Sequence, residues 1–285
     1  MLYIFLSICC SIVVSVMLKL AKRYEIDIFQ AIVWNYSTAI LLSWLLLKPH
    51  IGNIQNGPVF SYALLGLLLP AIFIILGVSI RFSGIVRTDV AQRMSLLIPV
   101  VAAFLIFGEK ETFLKFIGIF LGFVAIVCTI PWQKDGARSP VKASAWIYLL
   151  VVFAGFGVID VLFKQIAAST AVNYNSSLFF VFILSFIFSL IGLVYQVATK
   201  RMRISWLHIP IGWVLGIANF GNILFYLKAH KALANRPSMV FSAMNIGVIV
   251  LGALTGLIIF KEKLSLVNKA GIVIAVIAVI IMAKS

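Results

Sequence analysis

The chain has 285 residues, 63% of them hydrophobic and only 11% charged, with a mean hydropathy of +1.16. That composition lies far outside the range of soluble domains. The formal net charge of +15 would suggest nucleic acid in a soluble protein, but here Lys and Arg fall mostly in short turns between apolar runs. Such spacing is that of juxtamembrane charge, so a lipid bilayer and not a nucleic acid is the expected surroundings.

Apolar runs long enough to cross a hydrocarbon core of about 30 Å predict ten helices, at 2–20, 28–47, 59–80, 90–107, 113–130, 144–163, 178–198, 207–227, 239–260 and 266–282. Before Leu2 there is no basic residue, and near position 20 no small-residue cleavage site, so the first run is expected to stay as a membrane helix. Cys9, Cys10 and Cys128 lie inside apolar runs without metal or redox spacing and are taken as packing residues. A polar linker at 132–143 separates residues 1–131, with five helices, from residues 144–285, with five more. At an offset of 153, Phe107, Glu109, Lys110 and Gly118 fall on Phe260, Glu262, Lys263 and Gly271. An odd number of crossings in each half turns that duplication into an inverted repeat. The expected fold is therefore an all-α membrane protein of ten transmembrane helices in two inverted five-helix repeats.

Within these helices small residues mark close approaches. Gly118 and Gly122, Gly212 and Gly216, and Gly252 and Gly256 are GxxxG steps, and Gly271 with Ala275 is a small-xxx-small version. Pro70 and Pro99 stand near the middle of the third and fourth helices, where each removes a backbone hydrogen bond and should kink its helix.

The order of features resembles the drug/metabolite transporter superfamily, and within it the EamA-type transporters. Carrying the resemblance are Pro99 ten positions before Glu109, the Gly118 helix behind it, the repeat of Phe260, Glu262, Lys263 and Gly271, and Lys19 and Lys164 closing the first helix of each half. Nearly the whole chain is covered. It departs where the family often has a proline in the ninth helix, which here reads Asn245-Ile246-Gly247. The resemblance implies a multi-pass protein of the bacterial inner membrane that moves small metabolites and keeps both termini in the cytoplasm. Loop charge argues the other way. Lys and Arg are more numerous in the loops after helices 1, 3, 5, 7 and 9, which by the positive-inside rule would put the termini outside.

Glu109 and Glu262 are expected to complement the dipoles of the fifth and tenth helices that follow them, with the adjacent lysines snorkelling to the interface. Asp89 and Arg93, and Asp160 and Lys164, are spaced i,i+4 with the acid first, as for internal ion pairs. Snorkelling is the reading for Lys19 and Lys164. Asp160 is the acid placed inside an apolar run, so it is the candidate coupling residue for protons unless Lys164 pins it as an ion pair.

No cluster suggests an enzyme. His50, His208 and His230 have no metal-ligand spacing, and neither a glycine-rich phosphate loop nor grouped carboxylates occur, so no cofactor or metal is expected. The candidate substrate-binding residues are Asn219, Asn222 and Tyr226, which lie along one stripe of the eighth helix at 3.6 residues per turn. An amide has no partner in hydrocarbon, so the stripe faces either a cavity or another helix. Gln92 and Arg93 on the fourth helix and Asn245 on the ninth would add polar contacts, and Arg93 would favour an anionic or zwitterionic cargo. The expectation is a secondary transporter, exporter or exchanger, acting by alternating access as a monomer or weak homodimer. A flippase or nucleotide-sugar-type carrier of the same fold, and a scaffold subunit without cargo, are the alternatives.

Overall fold

The computed structural model describes residues 1–23, 26–50, 54–83, 85–110, 112–129, 145–202, 204–259 and 265–284. The linker at 132–143, Glu262 and Lys263 lie outside the described residues, as do the side chains of Lys19 and Asp89.

Among the described residues the chain is helical, with no strand. The helices are α1 (Leu2–Arg23), α2 (Ile28–Leu47), α3 (Val59–Ser83), α4 (Ile85–Met94), α5 (Leu97–Leu105), α6 (Phe113–Thr129), α7 (Ala145–Ala168), α8 (Tyr174–Ala198), α9 (His208–Ala232), α10 (Pro237–Ile259) and α11 (Leu266–Lys284). Local chemistry sets several starts. Asp27 caps α2 by accepting the N–H groups of Phe29 and Gln30 at 2.9 and 3.2 Å, and Asn173 caps α8 through Asn175 N–H at 3.2 Å. Pro237 opens α10 at the first helical position, where its missing N–H costs nothing.

Among the described residues six helices, including Ile28–Leu47, Tyr174–Ala198 and His208–Ala232, are long and apolar enough to cross a membrane, and four shorter apolar stretches are Leu2–Met17, Val90–Leu105, Phe113–Cys128 and Leu266–Met282. The outside of the bundle is as apolar as its inside. Phe60, Leu105, Phe113 and Leu266 are largely exposed, whereas Ser7, Ser43, Ser79, Ser185 and Asn35 are buried. In lipid the driving force between helices is close packing and hydrogen bonding, so small polar side chains belong inside.

The helix bounds depart from those expected in several places. The expected fourth helix is two: a turn at Ser95–Leu96 separates α4 from α5. Pro99 has no N–H to give the Ser95 carbonyl, which takes Ile98 N–H at 3.0 Å, and Ser95 Oγ donates to Gln92 O at 2.5 Å. By contrast α3 continues as one helix through Pro70, which is buried. Helices α7 and α9 each run past their expected ends, at Phe163 and Leu227, because Lys164, Lys228 and His230 continue the helical register in spite of their polarity.

Helix α6 pairs with α11; α2 packs on α8 and α9, α3 on α7 and α8, α1 on α9 and α10, α7 on α4 and α5, and α10 on α5. Gly118 serves that α6–α11 interface. A Cβ on Gly118 would sit 2.5 Å from Met282 Cγ and 3.4 Å from Ala278 O of α11.

Candidate functional site

Helix α9 packs against α1, α2 and α7, with Trp213, Val214 and Ile217 turned to the outside. Its approach to α2 rests on two glycines. A Cβ on Gly212 would come within 2.6 Å of Ala31 O, and one on Gly216 within 2.6 Å of Asn35 O. Only with hydrogen at both positions do the backbones come this close, and that contact brings Asn35 beside Asn219.

The polar stripe of α9 is then shared among three neighbours. Asn219 Nδ2 donates to Asn35 Oδ1 on α2 at 3.2 Å. Asn222 Nδ2 donates to Ser7 O on α1 at 3.3 Å, and Ser7 Oγ returns a bond to Asn222 O at 2.9 Å. Tyr226 Oη donates to Asp160 Oδ1 on α7 at 2.8 Å, with its ring edge-on to Phe163. One turn further, His230 is fully buried between the rings of Tyr226 and Phe241, each centroid 4.7 Å away, and neither ring nitrogen has a hydrogen-bond partner. Asn222 thus ties helices together, whereas Asn219 borders a cavity.

That cavity is lined by Val14, Ile32, Asn35, Phe73, Leu215 and Asn219 and measures about 10 Å³, room for a single water. Val14, Phe73 and Asn219 lie near the middle of their helices, Asn35 and Leu215 about two turns from a helix start, and Ile32 about one turn. Of the other candidates, Asn245 turns its amide back to Phe241 O of its own helix at 3.1 Å. Gln92 and Arg93 sit half-buried on α4, which packs on α3 and α7, and do not line the cavity. Asn35, Phe73 and His230 were missed by sequence reasoning. The signal for Asn35 was present, since it is an amide in the middle of the second apolar run.

The charges near one end of the bundle are arranged differently from the expectation. Glu109 does not serve α6, the helix that follows it. After a turn carried by Gly108 at φ 62°, its carboxylate accepts Ser238 N–H at 2.7 Å and Ser238 Oγ at 2.6 Å, so it caps α10. Its ionic partner is Lys115, at 3.1 Å, which also donates to Lys110 O at 2.8 Å; Lys110 itself is exposed. Lys164 neither snorkels nor pairs with Asp160. It is 2% exposed, donates to Ala234 O at 2.9 Å, lies over the Phe107 ring at 5.7 Å and feels the Glu109 charge. The reason is packing: the α9–α10 turn closes over the end of α7 and supplies a carbonyl nearer than water. Among the described residues no group of three or more His, Cys, Asp or Glu side chains converges as metal ligands would.

An all-helical bundle with long apolar helices, an apolar exterior and hydrogen-bonded small polar groups inside is the architecture of an all-α membrane protein. The chain is 43% identical over 284 residues to an uncharacterized protein of Haemophilus influenzae, covering 96% of this chain and 94% of that protein. It belongs to the same family as that protein. No family model matches it. A protein crystal structure shares the fold, with a TM-score of 0.71 over 98% of this chain and 94% of that one at 12% identity.

Proposed function

We propose that the chain is a secondary transporter of the EamA type, moving a small metabolite across a bacterial inner membrane by alternating access. Ten crossing helices would form two inverted five-helix repeats. The observation that carries this reading is the α9 stripe, whose Asn219 sits beside a small cavity bounded by two amides. Polar groups at that depth are expensive unless they serve a path or a partner, and the Asn35–Asn219 pair does not use all of its hydrogen-bonding capacity.

Packing supports the repeat. Exchanging the halves carries α1 onto α7, α2 onto α8, α3 onto α9, α4 with α5 onto α10, and α6 onto α11. The contacts of α1 with α9 and α10 then correspond to those of α7 with α3, α4 and α5, and α2 on α9 corresponds to α8 on α3. The α6–α11 and α2–α8 pairs map onto themselves, as pairs astride a two-fold axis do. The break at Pro99 supplies irregular backbone within a crossing segment, a feature of transport paths. Asp160 is the proposed proton-coupling residue, because it is held by one tyrosine hydroxyl and not by Lys164. Following the resemblance, the termini face the cytoplasm.

The test is release from proteoliposomes loaded with a mixture of amino acids, sugars, nucleobases and organic cations, followed by mass spectrometry. One chemical group should leave faster than from protein-free vesicles, and Asn219→Leu should abolish that release without loss of folded protein. If folded protein releases nothing, the transport reading is wrong and a scaffold role replaces it.

A further inference from the structure

The Asn35–Asn219 bond uses one donor of Asn219 and one acceptor of Asn35. Among the described residues nothing else bonds to Asn35 Nδ2 or Asn219 Oδ1, and neither atom is among the fully enclosed unpaired ones. Asn35 is nonetheless 2% exposed. Both residues line the cavity, and among the described residues neither uncommitted group is tied up by another bond. The result is an amide donor beside an amide acceptor, in a wall otherwise made of Val14, Ile32, Phe73 and Leu215. Among the described residues no ionisable side chain lines it.

We infer that the Asn35–Asn219 pair is the polar centre of a binding site for an uncharged molecule that presents an acceptor and a donor side by side, on a flat or apolar body. Primary amides, lactams and nucleobase edges have that pattern. This deepens the transport reading and rests on it for its place on the cargo path. A charged cargo would surrender its hydration to two neutral amides, whereas an amide edge exchanges its water bonds for two of equal kind. Phe73 offers a ring face or edge to the body of the molecule. The cavity is contracted in this conformation, and admission of a ring requires α1 or α3 to draw back from α9, a movement that alternating access itself demands. Arg93, the basis for expecting an anionic cargo, stands apart from these walls.

Benzamide, benzoate and benzylamine share one body and differ in charge, so they separate the possibilities. They are titrated calorimetrically, at neutral pH, into the full chain in nanodiscs. Benzamide is expected to bind more tightly than either ion by about 30-fold or more, the ratio that a 2 kcal/mol desolvation difference produces. Asn35→Asp should weaken benzamide by at least about tenfold and admit benzylamine, since it replaces a donor by an anion. Leu215→Ala, which only removes wall, should improve 2-naphthamide relative to benzamide and serves if Asn35→Asp fails to fold. The inference is overturned if benzoate or benzylamine binds wild-type protein as well as benzamide does, or if none of the three binds. Preference for benzoate would restore the anionic cargo and leave transport standing. Amide binding without metabolite release from vesicles would remove the transport reading and keep the site.

Discussion

Glu109 offers the sharpest quantitative test of how the bundle is closed at one end. Its carboxylate is buried, caps α10 through two Ser238 bonds and pairs with Lys115. Truncation in Glu109→Ala leaves the Lys115 ammonium buried with only the Lys110 carbonyl and orphans the Ser238 N–H. Breaking one partner of a buried pair costs about 3–5 kcal/mol, of which the lost cap accounts for about 1. Lys115→Met removes the cation but keeps Glu109 on its two Ser238 donors, so it should cost less, about 2 kcal/mol. In the double variant neither charge remains, and only the cap and some packing are lost, about 1–2 kcal/mol. The double-mutant cycle should therefore show a coupling of about 3 kcal/mol or more. Equilibrium unfolding of the detergent-solubilised protein by SDS, read by tryptophan fluorescence, measures each corner. Single costs that add to within about 0.5 kcal/mol would refute the pairing, because independent sites behave that way.

Other expectations follow from the same contacts. Gly216→Leu should lower stability by roughly 1–3 kcal/mol and lower the melting temperature, because its side chain meets the Asn35 carbonyl and Thr38 of α2; a glycine that tolerated it would place α2 further from α9 than observed. Asn222→Leu should cost about 0.6–2 kcal/mol while flux per folded molecule stays unchanged, since its bonds go to Ser7. Pro99→Ala restores the N–H for Ser95 O and should leave melting unchanged or raised while slowing release from vesicles; unchanged release would make the α4–α5 break merely structural. Asp160→Asn keeps an acceptor for Tyr226, so folding should survive, but any dependence of uptake on an imposed pH gradient should vanish; a gradient response that persists excludes Asp160 as the coupling group.

The sequence by itself determined what depends on neighbours along the chain. Apolar run length located the helices, Asp27, Asn173 and Pro237 set where α2, α8 and α10 begin, and Pro99 fixed where the expected fourth helix breaks into α4 and α5. It also marked Asn219, Asn222 and Tyr226 as one inward stripe, since helical period and the cost of an amide in lipid are local facts. Which partner each would take was decided by tertiary structure alone. Asn35 is 184 residues from Asn219, Ser7 is 215 from Asn222, and Ser238 is 129 from Glu109. A carboxylate at a helix start can serve the helix it precedes or one folded against it, and spacing does not distinguish the two; Glu109 serves α10 because α5 ends where α10 begins. The i,i+4 spacing of Asp160 and Lys164 permits a pair but does not compel it. Tyr226 and the Ala234 carbonyl, arriving from α9 and the turn after it, outcompete that pair, since in a low-dielectric interior each polar group goes to the partner that packing brings nearest.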